Sequence, residues 1–411
     1  MATREVDNLL IGGSLAAANC ARWLREEGGP GAGSILLVGR EPNPPYNRPP
    51  LSKGYLRGEE GVEDLLFRPD EWWDEQGIDL LTRVSVTGLD LDERVAKLSN
   101  KDEVAFGKAL LATGANVRRL RVDGCELDGI HYLRVPASSD AIRADAENAD
   151  RAVLIGGSYI GSEVAASLTA AHGVKCQIVM LEDVTLERHF GPEVGGYFQR
   201  VLEEHGVEVH GGQELDRFEG ADGRVSKVVT KSGLELDCDL VAIGAGVAPD
   251  VTLARSAGLE LGEAGGVRCS SRLETSVEGV YAAGDIAEYD SPLHGRPIRI
   301  EHWDVAFNQG RTAAMNMLGK DIEHDAVPYF FSDLADWASM EYVGPGSGEP
   351  VIRGSLADGD FTAFYVDGGK VTAALTVGRS DDLEHAQRFM KGEASPDPAA
   401  LADESTDLAS L

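Results

Sequence analysis

The 411-residue chain is short of basic side chains: 38 Lys+Arg stand against 69 Asp+Glu, a formal charge of −31. A field of that sign argues against general nucleic-acid binding, which needs a positive surface to neutralise phosphates. It also works against docking on an anionic membrane. No apolar run approaches the roughly 18 residues of a membrane-spanning helix, so no membrane insertion is expected. The chain opens without a basic stretch followed by an apolar one, so no signal peptide is expected and the cytoplasm is the expected compartment. Cysteine is scarce and scattered. Cys20, Cys125, Cys176, Cys238 and Cys269 show neither a CxxC pair nor metal-ligand spacing, which gives no sign of a disulfide framework or of a bound metal.

What is present is an ordinary globular composition, 43% apolar and 26% charged, which rules out a largely disordered chain. At about 100–200 residues per domain the length allows two to four domains. Glycine outnumbers proline, 49 to 17, and gathers in short clusters between apolar runs. That is the pattern of an α/β protein with many tight strand-to-helix turns.

Two distant segments repeat one another: Asn8-Leu-Leu-Ile-Gly12-Gly13-Ser14-Leu-Ala-Ala17 and Val153-Leu-Ile-Gly156-Gly157-Ser158-Tyr-Ile-Gly161-Ser-Glu163. Each reads as a strand, a Gly-Gly-Ser turn and a helix (Ala16 to Leu24; Ile160 to Ala171), followed by a second apolar run. Two βαβ openings of this kind predict two Rossmann-type units. Short strands are expected over Leu81–Leu111 and Val207–Ile243, and a long amphipathic helix near Asp304–Leu318. Towards the C-terminus, Phe361–Tyr365 and Lys370–Val377 suggest a hairpin joined by Asp-Gly-Gly, then a helix near Asp381–Lys391. The Pro-, Asp- and Ala-rich residues that follow read as a mobile acidic tail.

A glycine-rich strand-to-helix turn lets a pyrophosphate approach the backbone and rest on a helix N-terminus, where free N–H groups and the helix dipole favour it. Serine replaces the middle glycine of the usual pattern in both copies, and Ala17 replaces the third glycine of the first. The alternative is that these glycines only tighten packing, a reading weakened by their recurrence. An acidic residue after the second strand of such a unit takes the ribose hydroxyls. In the second unit this is Glu182, followed by Asp183; a carboxylate there repels a 2′-phosphate and favours NADH over NADPH, with Arg188 the nearby cation pulling the other way.

The segment Pro45-Tyr46-Asn47-Arg48-Pro49-Pro50-Leu51-Ser52-Lys53 fixes two cations in a proline-stiffened loop. With Leu110-Leu-Ala-Thr113-Gly114-Ala115, Gly156–Glu163, Tyr281-Ala-Ala-Gly284-Asp285-Ile286 and Glu301-His302-Trp303, it makes the chain resemble the FAD-dependent pyridine-nucleotide reductases of the ferredoxin-reductase branch. These are related to apoptosis-inducing factor, and the likeness runs from about Val6 to Leu318 and more weakly to Met390.

The resemblance implies an α/β fold with two Rossmann-type dinucleotide-binding domains, glutathione reductase-like in arrangement, and a small α+β C-terminal domain. The expected boundaries are 1–115 and 246–325 for the FAD-binding domain, 116–245 for NAD, 326–392 for the C-terminal domain and 393–411 for a flexible tail. Gly12, Gly13, Ser14 and Ala17 would surround the FAD pyrophosphate, with Arg48 nearby, and Val86, Thr113 and Gly114 would border the cofactor. Arg40 stands where relatives often place an acidic ribose ligand, so Glu41 would take that role or Arg40 would lie against the adenine. Asp285 would bind a ribityl hydroxyl beside Gly284. Glu301, His302 and Trp303 would sit near the isoalloxazine. Gly156, Gly157, Ser158, Ile160, Glu182 and Gly244 would hold NADH. Lys53 would lie beside the flavin and pair with Glu163, either tuning the ring or serving as a structural salt bridge. The run Pro328-Tyr329-Phe330-Phe331-Ser332-Asp333 departs from the tryptophan-richer run of many ferredoxin reductases.

Residues 42–53, expected to face the flavin, contain no cysteine, so a dithiol relay is absent from that position. The resemblance implies Lys53, Glu163, Glu301 and Trp303 as the catalytic residues, and without a dithiol electrons would leave reduced FAD directly for an outside carrier. The expected function is a ferredoxin reductase that carries electrons from NADH through FAD to an iron–sulfur ferredoxin, and so indirectly to a cytochrome P450 or other oxygenase. Three alternatives stay open: reduction of a quinone or another small acceptor, a redox-sensing role like that of apoptosis-inducing factor, and a nucleotide-binding regulator without flavin. Arg296, Arg299 and Arg311 are candidates for a local basic patch on an acidic molecule. Glu71-Trp72-Trp73-Asp74 reads as helix packing, Cys20 as a packed thiol, and His205 and His210 as surface residues.

Overall fold

The computed structural model describes residues 4–392 and 394–411; residues 1–3 and Glu393, the first residue of the expected tail, lie outside it. The chain divides into two compact units, each assembled from separated segments. The first holds the N-terminal segment to Asn47, Glu63–Asn116 and Val247–Pro328; the second holds Arg48–Val62, Val117–Gly246 and Tyr329–Leu411.

The first unit is built on a seven-stranded sheet in the order Ile78–Leu81, Ile35–Val38, Arg4–Ile11, Glu103–Leu111, Val95–Leu98, Val86–Asp90. Val280–Ala282 is also paired to Glu103–Leu111. The first four strands run parallel, and the last two turn back antiparallel. Strand Glu103–Leu111 is shared along one edge. Its residues Glu103–Ala105 pair with the antiparallel strand, and Ala109–Leu111 pair with Val280–Ala282. Parallel strands covered on both faces need continuous apolar runs, which is why all four residues of Ile35–Val38 are buried. Helix Leu15–Gly28 leaves the first Gly-Gly-Ser turn and packs closely on helix Trp303–Met317. A Cβ on Gly310 would lie 2.4 Å from the Ala16 carbonyl oxygen, and Asn19 Nδ2 donates to the Phe307 carbonyl at 2.6 Å. Cys20 is packed there, with Sγ 3.7 Å from Met317 Sδ. Trp73, in helix Asp70–Glu75, is buried and lies edge-on to Trp72.

The second unit carries a parallel sheet in the order Glu208–His210, Lys175–Val179, Arg151–Ile155, Leu240–Ile243, Ile130–His131. Helix Tyr159–His172 follows the second Gly-Gly-Ser turn. The C-terminal part is an antiparallel sheet in the order Tyr329–Leu334, Ala338–Val343, Lys370–Val377, Asp360–Asp367, Pro350–Ser355. Its central hairpin closes through Gly368 and Gly369, both at positive φ, as a two-residue turn requires.

Three features differ from expectation. Residues 48–62 cluster with the second unit and not with the first nucleotide-binding segment. Ser139 Oγ donates to the Leu51 carbonyl (2.8 Å) and Ser167 Oγ to the Ser52 carbonyl (2.7 Å), and Leu56 is buried in the second unit's core. The C-terminal sheet does not stand apart either. Leu334, Tyr342 and Phe361 share one hydrophobic cluster with Leu154, Val164 and Phe198. The tail is also folded. Leu401 and Leu408 are buried, and Arg353 donates to the carbonyls of Asp403 (2.7 Å) and Thr406 (3.0 Å). Asp397 and Asp407, which read as solvated acids, cap short helices by accepting from Ala399 N and Ala409 N. The acidic composition suggested mobility, but the two leucines and Arg353 anchor the segment.

Two outcomes follow from this packing. A Cβ on Gly161 would sit 1.9 Å from the Gly156 carbonyl oxygen, so Gly161→Ala should destabilise the protein by about 1–3 kcal/mol, read as a lowered thermal midpoint. His324 is buried, with Nδ1 3.2 Å from Thr312 Oγ1, and burial lowers its pKa to about 4 against a small opposing effect of Asp325. The unfolded chain then binds the proton first on acidification. Stability present above pH 6.5 is lost as the pH falls towards 4, by about 3 kcal/mol in the limit. His324→Gln should flatten the stability profile over that window in denaturant titrations, whereas an unchanged slope would show that this imidazole is not the group responsible.

Candidate functional site

Each unit offers a backbone turn shaped for an anion. Gly12 has φ +117°, and a Cβ there would lie 2.2 Å from the Ala112 carbonyl oxygen, so no other residue fits. Gly13 lies against Gly39, its added Cβ 3.2 Å from that Cα. Ser14 caps the helix, accepting weakly from Ala17 N at 3.4 Å. In the second turn Gly156 has φ +105°, and its Cβ would lie 2.7 Å from the Gly244 carbonyl oxygen, while one on Gly157 would strike Met180 Sδ. Ser158 behaves differently from Ser14: its Oγ points to the Gly244 carbonyl (3.5 Å) and makes no helix cap. Ile160 is partly exposed in the first turn. Neither helix carries an acidic residue in its first turn. Close backbone approach, a helix N-terminus of 14 residues in each case and no competing carboxylate are what a dinucleotide pyrophosphate needs. The residues present in both turns therefore fit a dinucleotide pyrophosphate.

Around the first turn, Thr113 Oγ1 donates to the Asp250 carbonyl (2.7 Å), and Gly114 accepts from Asp250 N (2.8 Å). Gly284, at φ +79°, gives its N–H to the buried Gln309 Oε1 (2.8 Å). The Asp285 carbonyl accepts from Arg299. Trp303 Nε1 donates to Asn47 Oδ1 (2.9 Å), and its ring stacks on Phe307 at 5.2 Å and 9°. His302 is the N-cap residue of the same helix. Burial raises the Asp304 carboxyl in its first turn above the usual carboxylate range, partly offset by the bond from Asn308. Val86 opens the antiparallel strand Val86–Asp90 and packs at the edge of the first core.

Other expected ligands already have protein partners. Arg40 bonds Asp250 (2.9 Å) and Asn116 (2.6 Å), and Glu41 accepts from Tyr46 (2.6 Å). Glu301 is paired with Arg299 at 2.5 Å. The expected arginine patch is reduced accordingly, because Arg299 is turned inward on Glu301 and the Asp285 carbonyl. Arg311 and Arg22 instead flank the Trp23 ring at 4.9 and 5.0 Å.

In the second unit Lys53 Nζ lies 2.5 Å from Glu163 Oε1, with both side chains largely buried. Ser52 and Ser332 also donate to this carboxylate, neither of which the sequence singled out as a site residue. The only signals were their places in two runs already notable, residues 45–53 and 328–333. Arg48 reaches the Arg134 carbonyl. Glu182 borders an open groove of about 860 Å³, with Asp183, Glu187, Arg188 and Glu349 also on its walls. With Glu193 also on the wall, five carboxylates against one guanidinium make it a poor place for an added phosphate.

All five cysteines are free. Burial pushes the thiols of Cys176, Cys238 and Cys269 up to about 12 and raises that of Cys20 as well, which makes them inert towards disulfide exchange.

Residues 6–310 match the family model described as pyridine nucleotide-disulphide oxidoreductase, and residues 329–411 match that of the reductase C-terminal domain. The ferredoxin–NAD(+) reductase component of the anthranilate 1,2-dioxygenase system of Burkholderia cepacia is 33% identical over 97% of this chain and 98% of its own length. The structure of a ferredoxin reductase for the CYP199A2 system from Rhodopseudomonas palustris superposes with a TM-score of 0.93 at 32% identity, covering 98% of this chain and 99% of that one. A covalent putidaredoxin reductase–putidaredoxin complex gives 0.92 at 32% identity, over 100% and 98%. Two dinucleotide-shaped turns and these matches lead to one statement: the chain belongs to the pyridine nucleotide-disulphide oxidoreductase family.

Proposed function

We propose that this protein is an FAD-dependent reductase that takes electrons from NADH and delivers them to an iron–sulfur ferredoxin, which in turn feeds a cytochrome P450 or another oxygenase. The observation that carries the reading is the pairing of two pyrophosphate-shaped turns with thiols that burial has silenced. With four thiols buried and no cysteine in residues 42–53, the electrons leave for a carrier outside the chain. Two of the relatives named above are ferredoxin reductases, and the third is a putidaredoxin reductase solved covalently joined to putidaredoxin.

FAD, when bound, converts a two-electron hydride donor into single-electron deliveries. The chain's own residues bind and orient. Gly12, Gly13 and Ser14 hold the FAD pyrophosphate on the helix N-terminus, and Gly156, Gly157 and Ser158 do so for NADH. Gln309 fixes the Gly284 amide, keeping the backbone beside Asp285 in place for a ribityl hydroxyl. The N-terminus of helix Trp303–Met317 favours negative charge on a reduced ring. Lys53, held by Glu163, is the proposed catalytic cation of the second unit. Glu182 and its acidic neighbours select the unphosphorylated dinucleotide.

The purified protein should be yellow. Its flavin absorbance should bleach with NADH at least about tenfold faster than with NADPH, a gap of about 1.4 kcal/mol. Glu182→Arg should narrow that ratio, mainly through a lower KM for NADPH. Stopped-flow comparison of a ferredoxin with quinones as acceptors tests the second half of the reading, and preferential quinone reduction would replace it with the small-acceptor alternative. Docking of an acidic ferredoxin on a chain of charge −31 requires local cations such as the exposed Arg296 and Arg311, so its reduction rate should fall as salt is added. A rate that climbs with salt would contradict attractive steering.

A further inference from the structure

Glu163 lies in the second turn of helix Tyr159–His172 and is 3% exposed. Its carboxylate accepts three bonds. Ser52 Oγ donates to Oε2 at 2.5 Å, while Lys53 Nζ and Ser332 Oγ both donate to Oε1 at 2.5 Å. Two of these donors come from the proline-rich loop, and that loop is itself pinned through the Leu51 and Ser52 carbonyls by Ser139 and Ser167. The third comes from strand Tyr329–Leu334, where Ser332 is 1% exposed and the neighbouring Phe331 ring lies 5.5 Å from the Lys53 ammonium. Adjacent residues of one strand therefore contact one member each of the Lys53–Glu163 pair.

We propose that Ser332 is a positioning residue for the proposed reaction: by holding Glu163 Oε1 it fixes the carboxylate, and through it the Lys53 ammonium. The proposal rests on the reading of Lys53 as a catalytic residue of NADH-driven flavin reduction. A buried hydroxyl is costly unless bonded, and this one is spent on the oxygen that also receives the lysine. Without it Oε1 keeps a single donor, and the carboxylate is free to turn about its side-chain bonds, carrying the ammonium with it. Charge-assisted bonds of this kind are strong and geometrically demanding, and displacing an oriented charged group weakens what it stabilises.

The test uses the intact flavoprotein with four single variants, Ser332→Ala, Ser332→Thr, Ser332→Cys and Glu163→Gln. Ser332→Ala should slow NADH-driven flavin reduction about tenfold with KM for NADH unchanged, and should shift the flavin midpoint potential. Ser332→Thr, which keeps the hydroxyl, should restore both. Ser332→Cys keeps the volume with a weaker donor and should fall between, which keeps the test usable if the alanine variant folds poorly. In a Glu163→Gln background Ser332→Ala should add little, since two members of one network are not additive. If Ser332→Ala leaves both rate and potential within twofold of the parent while Glu163→Gln alters them, the proposal is overturned. If Glu163→Gln is silent too in a yellow, NADH-reducible protein, the role given to Lys53 fails and Ser332 falls with it. A colourless protein would fail at the earlier step, the assignment of flavin.

Discussion

Both nucleotide turns depend on backbone meeting backbone at distances that leave no room for a side chain. The Gly12 and Gly156 carbon atoms stand against carbonyl oxygens of the adjacent strand or loop, and Gly161 presses its helix onto the turn that precedes it. Because the helix starts this close to the strand end, its free N–H groups face the place where the strand stops. The first-turn positions are free of acid in both helices, so the partial positive charge is available to a ligand. Much else is scaffolding for those two turns: parallel strands that carry them, and buried polar groups such as Asn19 and Gln309 that hold neighbouring backbone in register.

The electrostatics divide by location. The excess of carboxylates lies mostly in solvent, while the buried Glu163 and Arg353 are hydrogen-bonded. Lys53 with Glu163 and Arg353 with the carbonyls of the C-terminal segment are both largely buried and both multiply bonded. A buried charge is retained only with such company. Arg299 follows the same rule, since its guanidinium meets Glu301 and a main-chain carbonyl. A cation already committed in this way contributes little to an outward-facing field.

Much of the fold could be read in the chain because its signals are local. Asn8–Ala17 and Val153–Glu163 carry strand, turn and helix in contiguous residues, and the Asp367–Lys370 turn announces its hairpin through two glycines. The proximity of Lys53 and Glu163 was legible only through resemblance, since no local pattern links a proline-rich loop to a helix a hundred residues away. Ser332 and Ser52 were not legible at all as partners of Glu163. A serine's role is set by which carboxylate tertiary packing brings to it, and serine is common everywhere. The C-terminal segment misled for a related reason: Asp397 and Asp407 look solvated until helix caps are seen to use them, and Leu401 and Leu408 are too widely spaced to show a period. Arg40 and Glu41 stood in plausible ligand positions, yet their partners Asp250, Asn116 and Tyr46 come from elsewhere in the chain.

Strand Glu103–Leu111 has a consequence for biosynthesis. Its C-terminal half is hydrogen-bonded to Val280–Ala282, which the ribosome releases only after the whole second parallel sheet has been made. Until then the nascent first sheet exposes an unpaired, apolar edge beside the turn at Ala112, a template for adventitious strand addition. Closure of that edge is a long-range event and therefore slow. The emerging polypeptide would need shielding most while the residues between these two strands are being synthesised, which makes this interval the one in which chaperone supply should govern the yield of folded protein.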